Sequence, residues 1–125
     1  MQEKRQYVRF DAIGSCTIEE EGVKTGGLLV DLSLGGAQIQ TGALVCEDQK
    51  VRMSLQLNDM PTSNVISARG TIVRAPGDRV GVRFDAVDNI SGRRLEHWVG
   101  LKHEDPGRYD RELQTLRANG RIVAG

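Results

Sequence analysis

Two short stretches of this sequence carry side chains whose types and spacing suit an anionic ligand. Lys4-Arg5-Gln6-Tyr7-Val8-Arg9-Phe10 places three cations within six residues. Arg5 and Arg9 stand four positions apart, so one helical turn, or a loop curled around a ligand, would aim both guanidinium groups at the same object. A guanidinium donates two parallel hydrogen bonds to a phosphate or to the O6/N7 edge of guanine, and its face stacks on a purine. On charge patterning alone the segment also reads as a solvated basic terminus.

The second stretch is Val30-Asp31-Leu32-Ser33-Leu34-Gly35-Gly36-Ala37. Asp31 and Ser33 share one parity of a strand whose other parity is apolar, so both polar side chains are expected on the outer face. Asp31 would accept from a guanine N1 hydrogen and N2 amine, Ser33 would bond a phosphate or base, and Gly35 and Gly36 would allow close approach of a ligand to the backbone. The same residues also fit an Asx-turn or a hydroxyl-stabilised bend that ends a strand.

These groups must be held by strands. From Asp11 to Phe84 apolar residues recur at every second position between turn residues. Ala12 to Glu19 forms the first strand, with Cys16 and Ile18 on one face. Gly27 to Leu32 forms a second, in which Leu28, Val30 and Leu32 share a parity, and Gly35-Gly36 marks a bend before Ala37-Gln38-Ile39-Gln40 resumes the alternation. Val51 to Leu57, Val65 to Arg74 and Val80 to Phe84 follow, separated by the turns around Asn58-Asp59-Met60-Pro61 and Ala75-Pro76-Gly77-Asp78. Such closely spaced strands predict an antiparallel sheet closed into a small barrel. After Phe84 the period becomes helical. Ile90, Arg94, Leu95, Trp98, Val99 and Lys102 form one stripe, with Asp88 or Ser91 as cap. A second helix starts at Asp105-Pro106, carries Tyr109, Leu113 and Leu116 on one face and ends at Asn119-Gly120, leaving 121–125 as a frayed tail. The helical aromatics are assigned to packing, and the second helix suits either its own barrel or another protein.

Composition narrows the function. Lysines and arginines number 17 and acids 17, so any anion site is local. Aromatics make up only 4% of the chain, which argues against a single-strand nucleic-acid binder with stacking platforms. Cys16 and Cys46 stand 30 residues apart without metal-ligand spacing, and both are read as buried and reduced. His97 and His103 are far from either cysteine, and no nucleophile elbow, phosphate-binding loop or metal motif appears, so neither catalysis nor a cofactor is expected. The first residues lack the apolar run of a secretory leader and no stretch is long enough to span a bilayer, so a cytoplasmic location is expected.

Arg5-x-x-x-Arg9, followed after about twenty residues by Asp31-x-Ser33-x-x-Gly36, resembles the paired signature of PilZ domains, bacterial receptors for cyclic di-GMP. The strand series, the Gly81-Val82-Arg83-Phe84 ending and the helix after it are similar to that family as well. The resemblance implies a mainly β fold: a small six-stranded antiparallel β-barrel with one or two C-terminal helices. Residues 1–10 would be a ligand-binding arm, 11–104 the barrel with its first helix, and 105–125 the second helix and tail. It also implies a receptor or adaptor that closes its arm on cyclic di-GMP and signals to a downstream effector protein. The alternative is a relative that binds proteins without binding nucleotide. Arg5 and Arg9 would clamp phosphates and guanine, Asp31 and Ser33 would read guanine or hold the arm, and Gly35 and Gly36 would admit the ligand. Lys4 and Arg74 are lesser candidates for the same rim.

Overall fold

A computed structural model describes residues 6–60 and 64–118 and the backbone of 122–124. Six long strands come first: β1 (Phe10–Glu20), β2 (Val23–Leu32), β3 (Gly36–Thr41), β4 (Lys50–Leu57), β5 (Val65–Arg74) and β6 (Arg79–Asp88). Glu21 and Gly22 both have positive φ, 49° and 82°, which makes the tight turn joining β1 to β2. The strand order β3-β2-β1-β4-β5-β6 is antiparallel throughout, and a further β3–β6 pairing closes it into a barrel.

Alternation decides which residues fill it. Ala12, Cys16 and Ile18 of β1, Val51, Met53, Leu55 and Leu57 of β4, and Val80, Val82 and Phe84 of β6 all point inward, as their period predicts. In β2 the expected parity fails. The register slips between Leu29 and Asp31 against β3, so Val30 is a bulge. Leu29 and Leu32 are therefore buried, while Leu28 is 59% exposed. Cys46 departs from expectation as well. It lies in the β3–β4 connection, has no strand face to pack against, and is exposed, whereas Cys16 is buried.

Gly36 has a packing reason at the closure. A Cβ there would press on the Val82 carbonyl oxygen and lie 3.2 Å from its carbon. Only glycine lets β3 approach β6 this closely.

Helix α1 (Asn89–Lys102) begins where Asp88 caps it, its carboxylate accepting from the Ser91 amide at 2.7 Å and the Ser91 hydroxyl at 2.9 Å. Its Leu95, Trp98 and Val99 join the barrel core, each worth about 1.5–3 kcal/mol on burial, while Ile90 of the expected stripe stays exposed. Helix α2 (Pro106–Ala118) follows, with the Asp105 carboxylate accepting from the Arg108 amide. It packs on its own chain, against α1 and the core. Leu116 belongs to the core, Tyr109 and Leu113 lie against it, and the Tyr109 hydroxyl donates to the Glu96 carbonyl at 2.7 Å. The expected frayed tail instead contains β7 (Ile122–Ala124), which pairs in parallel with Ala86–Asp88 beyond the stretch of β6 that bonds β3. Among the described residues, no helix is long and apolar enough to cross a membrane.

Candidate functional site

The sequence motifs meet where β1 begins and β2 ends. Arg9 immediately precedes β1, and Asp31 lies opposite Asp11 in the β1–β2 pairing. The Arg9 guanidinium reaches the Asp31 carboxylate at 4.0 Å, with the side chains 33% and 14% exposed. At that distance the pair is loose. The guanidinium is the more exposed of the two, so a ligand in the recess can reach Arg9. Arg5 and Lys4 lie outside the described residues.

Ser33 does not project outward as its parity suggested. β2 ends at Leu32, and the Ser33 side chain turns into the bend that follows, leaving the residue 7% exposed. Its hydroxyl accepts from the Gly35 and Gly36 amides, each at 3.2 Å, and donates to the Gly36 carbonyl at 3.3 Å. This is the hydroxyl-stabilised bend that the sequence equally allowed. The bend presents Gly35 to the arm. The Tyr7 ring lies where a Gly35 Cβ would be, and the Gly35 carbonyl accepts from the Phe84 amide at 2.8 Å.

Beyond Asp31 the barrel wall offers a platform. Asp31 pairs with Gln38, Gln38 with Gly81, and Gly81 with Arg74, a row across β2, β3, β6 and β5. At about 4.8 Å per strand the row spans about 14 Å. Its centre is bare, because a Cβ on Gly81 would meet only ordinary contacts, the nearest at 3.5 Å from Val73. Arg74, placed at the strand end by the sequence, thus shares a rim with Asp31. These residues, with Gln6, Tyr7, Arg9, Ser33, Gly35, Gly36 and Arg83, line a shallow recess of about 230 Å³. Its charged lining residues are three arginines and one aspartate, and Arg83 is paired with Asp85 at 3.2 Å. The balance is positive and favours an anion.

Volume does not pick out this site. Wider hollows of about 660 and 580 Å³ lie over β1, β4, β5 and β6 and share Glu19, Arg52, Arg69 and Ala86. Two acids and three bases line the first and four acids and three bases the second, so neither carries more than one unit of net charge. Among the described residues no cluster of ligating side chains could hold a metal ion.

Of the residues around the recess that sequence reasoning missed, four bear on its geometry. Gln38 and Gly81 join it only through strand register, and Tyr7 through its contact with Gly35. Glu112 is the fourth. It looks like a solvated helix acid, yet its carboxylate is 1% exposed and accepts from the Val8 amide at 2.9 Å. Its spacing from Arg108, four positions on one helix, was the available signal.

The sequence matches none of the curated proteins. Among solved structures the chain is similar to the inhibitor of motility MotI/DgrA of Bacillus subtilis, with TM-score 0.69 and 18% identity, covering 83% of this chain and 55% of that one. It is similar to the PilZ domain of YcgR from Escherichia coli, solved with c-di-GMP, at TM-score 0.60 and 18% identity over 94% of this chain and 99% of that one. It also superposes on YcgR in complex with c-di-GMP at TM-score 0.67 and 19% identity, covering 95% of this chain. This chain spans only about half of the longer proteins, 55% of MotI/DgrA and 51% of YcgR. At these identities the likeness is one of fold. The profile of the PilZ domain matches residues 3–101, which carry the six barrel strands, the Arg9–Asp31 pair and most of α1, and the chain therefore belongs to the PilZ domain family.

Proposed function

We propose that this protein is a cytoplasmic receptor for cyclic di-GMP that signals to an effector protein and catalyses no reaction. The observation that carries the reading is the convergence of Arg9 and Asp31 on one positively charged recess, in a family one of whose solved members, the YcgR PilZ domain, holds c-di-GMP. In this reading the phosphates of the ligand draw the Arg9 guanidinium off Asp31. The Asp31 carboxylate then accepts from a guanine N1 hydrogen and N2 amine. Arg5, from the arm of residues 1–10, supplies the second fork, and Lys4 a further phosphate contact. Ser33 acts through the bend it ties, which seats Gly35 under Tyr7 and so shapes the arm's approach. Gly36 keeps the backbone low at the edge of the site, and Arg74 closes the far rim of the Gly81 platform.

Ligand binding makes the arm a switch, since charge-assisted bonds from arginine to phosphate replace the Arg9–Asp31 contact at 4.0 Å. Each such bond is worth about 1.5–3 kcal/mol. The test is calorimetric titration of the full chain with cyclic di-GMP, alongside Arg9→Ala and Asp31→Ala, with a short single-stranded oligonucleotide as control. Saturable heat that each substitution weakens by ten- to a hundredfold, on the order expected for one charged bond, supports the receptor. Absence of heat from the wild type would leave the protein-binding adaptor as the reading, and preference for the oligonucleotide would reassign the recess to nucleic acid.

A further inference from the structure

The residue just before Arg9 is tied to the second helix. The Glu112 carboxylate, on α2, accepts from the Val8 amide at 2.9 Å and from the Arg108 guanidinium at 3.0 Å through Oε2, while Oε1 lies 3.2 Å from His103 Nε2. A carboxylate this buried is retained only where its partners hold it, and here a partner comes from each side: the Val8 amide from the arm, the Arg108 guanidinium from α2, and the His103 ring from the link between the helices. Aromatic rings close the same junction. Phe10 meets His103 edge-on at 4.9 Å between centroids, and the Tyr109 ring lies 5.5 Å from His103 on the other side.

We propose that Glu112 is a positioning residue for the nucleotide site. It touches no ligand itself. By holding the Val8 amide it fixes where the chain enters the recess, and so where the Arg9 guanidinium points, one residue on. Val8 is held from α2 on one side, and Tyr7 rests on Gly35 on the other. The inference rests on the receptor reading and deepens it. Whatever strengthens the seat of α2 strengthens nucleotide binding, and the nucleotide must in turn strengthen the seat of α2 by the same factor. An effector that grips α2 would therefore sense the occupied site through a single buried carboxylate.

The deciding variants act on the amide rather than on the helix. Val8→Pro deletes the N–H and leaves Glu112 its contacts with Arg108 and His103, whereas Val8→Ala trims the side chain and keeps the N–H. In titrations of the full chain, Val8→Pro is expected to lose on the order of tenfold in affinity for cyclic di-GMP, within the usual range of coupling between sites. Gln114→Ala, on the exposed side of α2, should keep the wild-type value, and Val8→Ala, which keeps the N–H, should bind more tightly than Val8→Pro. Glu112→Gln, which retains an acceptor oxygen for Val8, should fall between. Hydrogen exchange gives a second readout: saturating nucleotide slows exchange of the α2 amides in the wild type and leaves them unchanged in Val8→Pro. Equal affinity of Val8→Pro and Val8→Ala, with wild-type binding intact, overturns the positioning role alone. A wild type that gives no heat overturns the receptor reading and this inference with it.

Discussion

The ring of Tyr7 lies on Gly35, filling the space where any other residue would carry its Cβ, while the neighbouring Gly36 faces the backbone of Val82. Two adjacent glycines thus meet obstacles of different stiffness, and their alanine variants should fail in different ways. Gly35→Ala pushes on a side chain of the arm, which swings aside. Its urea midpoint should stay close to wild type while nucleotide affinity drops about tenfold, equivalent to about 1.4 kcal/mol. Gly36→Ala pushes on a strand that cannot yield without opening the barrel seam, and should lose about 1–3 kcal/mol of stability. Denaturant melts and titrations of the two variants separate the effects, and matching losses in both measurements would contradict this division.

How far the sequence foretold this arrangement depends on whether the signal was local. Val51 to Leu57 alternates without interruption, and the cap of α1 was narrowed to Asp88 or Ser91, of which Asp88 supplies it by accepting from the Ser91 amide. Leu28-Leu29-Val30 was ambiguous, since apolar residues occupy both parities there and the bulge at Val30 that selects Leu29 depends on pairing with β3. Ser33 was misplaced for the same reason, because the strand it was counted along ends at Leu32. The row from Asp31 to Arg74 exists only in the barrel's register, between residues up to 50 positions apart in the chain, and no local pattern encodes it. β7 pairs only because β3 leaves the last residues of β6 unbonded on that edge, which is likewise a property of the closed sheet.

The bare centre of that row supplies a second prediction. Gly81 sits between Gln38 and Arg74 with space above it, so a larger side chain there would fill the platform and not the core. Gly81→Ala is expected to fold and bind as wild type. Gly81→Leu should fold with a urea midpoint near that of the wild type, yet lose saturable heat with cyclic di-GMP. Retained affinity in Gly81→Leu would place the ligand elsewhere on the barrel.

Acid sensitivity follows from three aspartates. Burial pushes the Asp59 carboxyl up, but hydrogen bonds from Trp98 and Lys102 outweigh it and hold the group below its ordinary value. Burial of Asp85 is likewise outweighed by bonds from Thr71 and Arg83 and by the Lys50 charge, and Asp88 is lowered chiefly by the Ser91 amide. A carboxyl depressed in the folded state stabilises fully above its unfolded value, about 3.9, and that contribution disappears as pH falls through the lower, folded value. The urea midpoint should therefore hold at neutral pH and decline below about pH 4. Asp88→Ala should cost about 1 kcal/mol at pH 7 as a lost cap, and the gap to wild type should narrow toward pH 3. A gap that stays constant over that range would show that the charge of Asp88 contributes nothing.

The two cysteines should behave as chemically distinct groups, although their sequence surroundings suggested the same environment for both. Burial inside the barrel pushes the Cys16 thiol up to about 11, so almost none of it is thiolate at neutral pH, and β1 and its neighbours bar reagents from the sulfur. Cys46 is exposed, its Sγ 3.8 Å from the Gln49 side-chain oxygen. A chromogenic disulfide reagent should therefore titrate one thiol in the native protein, that of Cys46, and both in denaturant. Cys46→Ser should leave only a slow reaction whose rate follows opening of the barrel, so that it accelerates with added urea. Two equally fast thiols in the native wild type would mean that β1 is not sealed against its neighbours, and the packing of Cys16 against the core would have to be rejected.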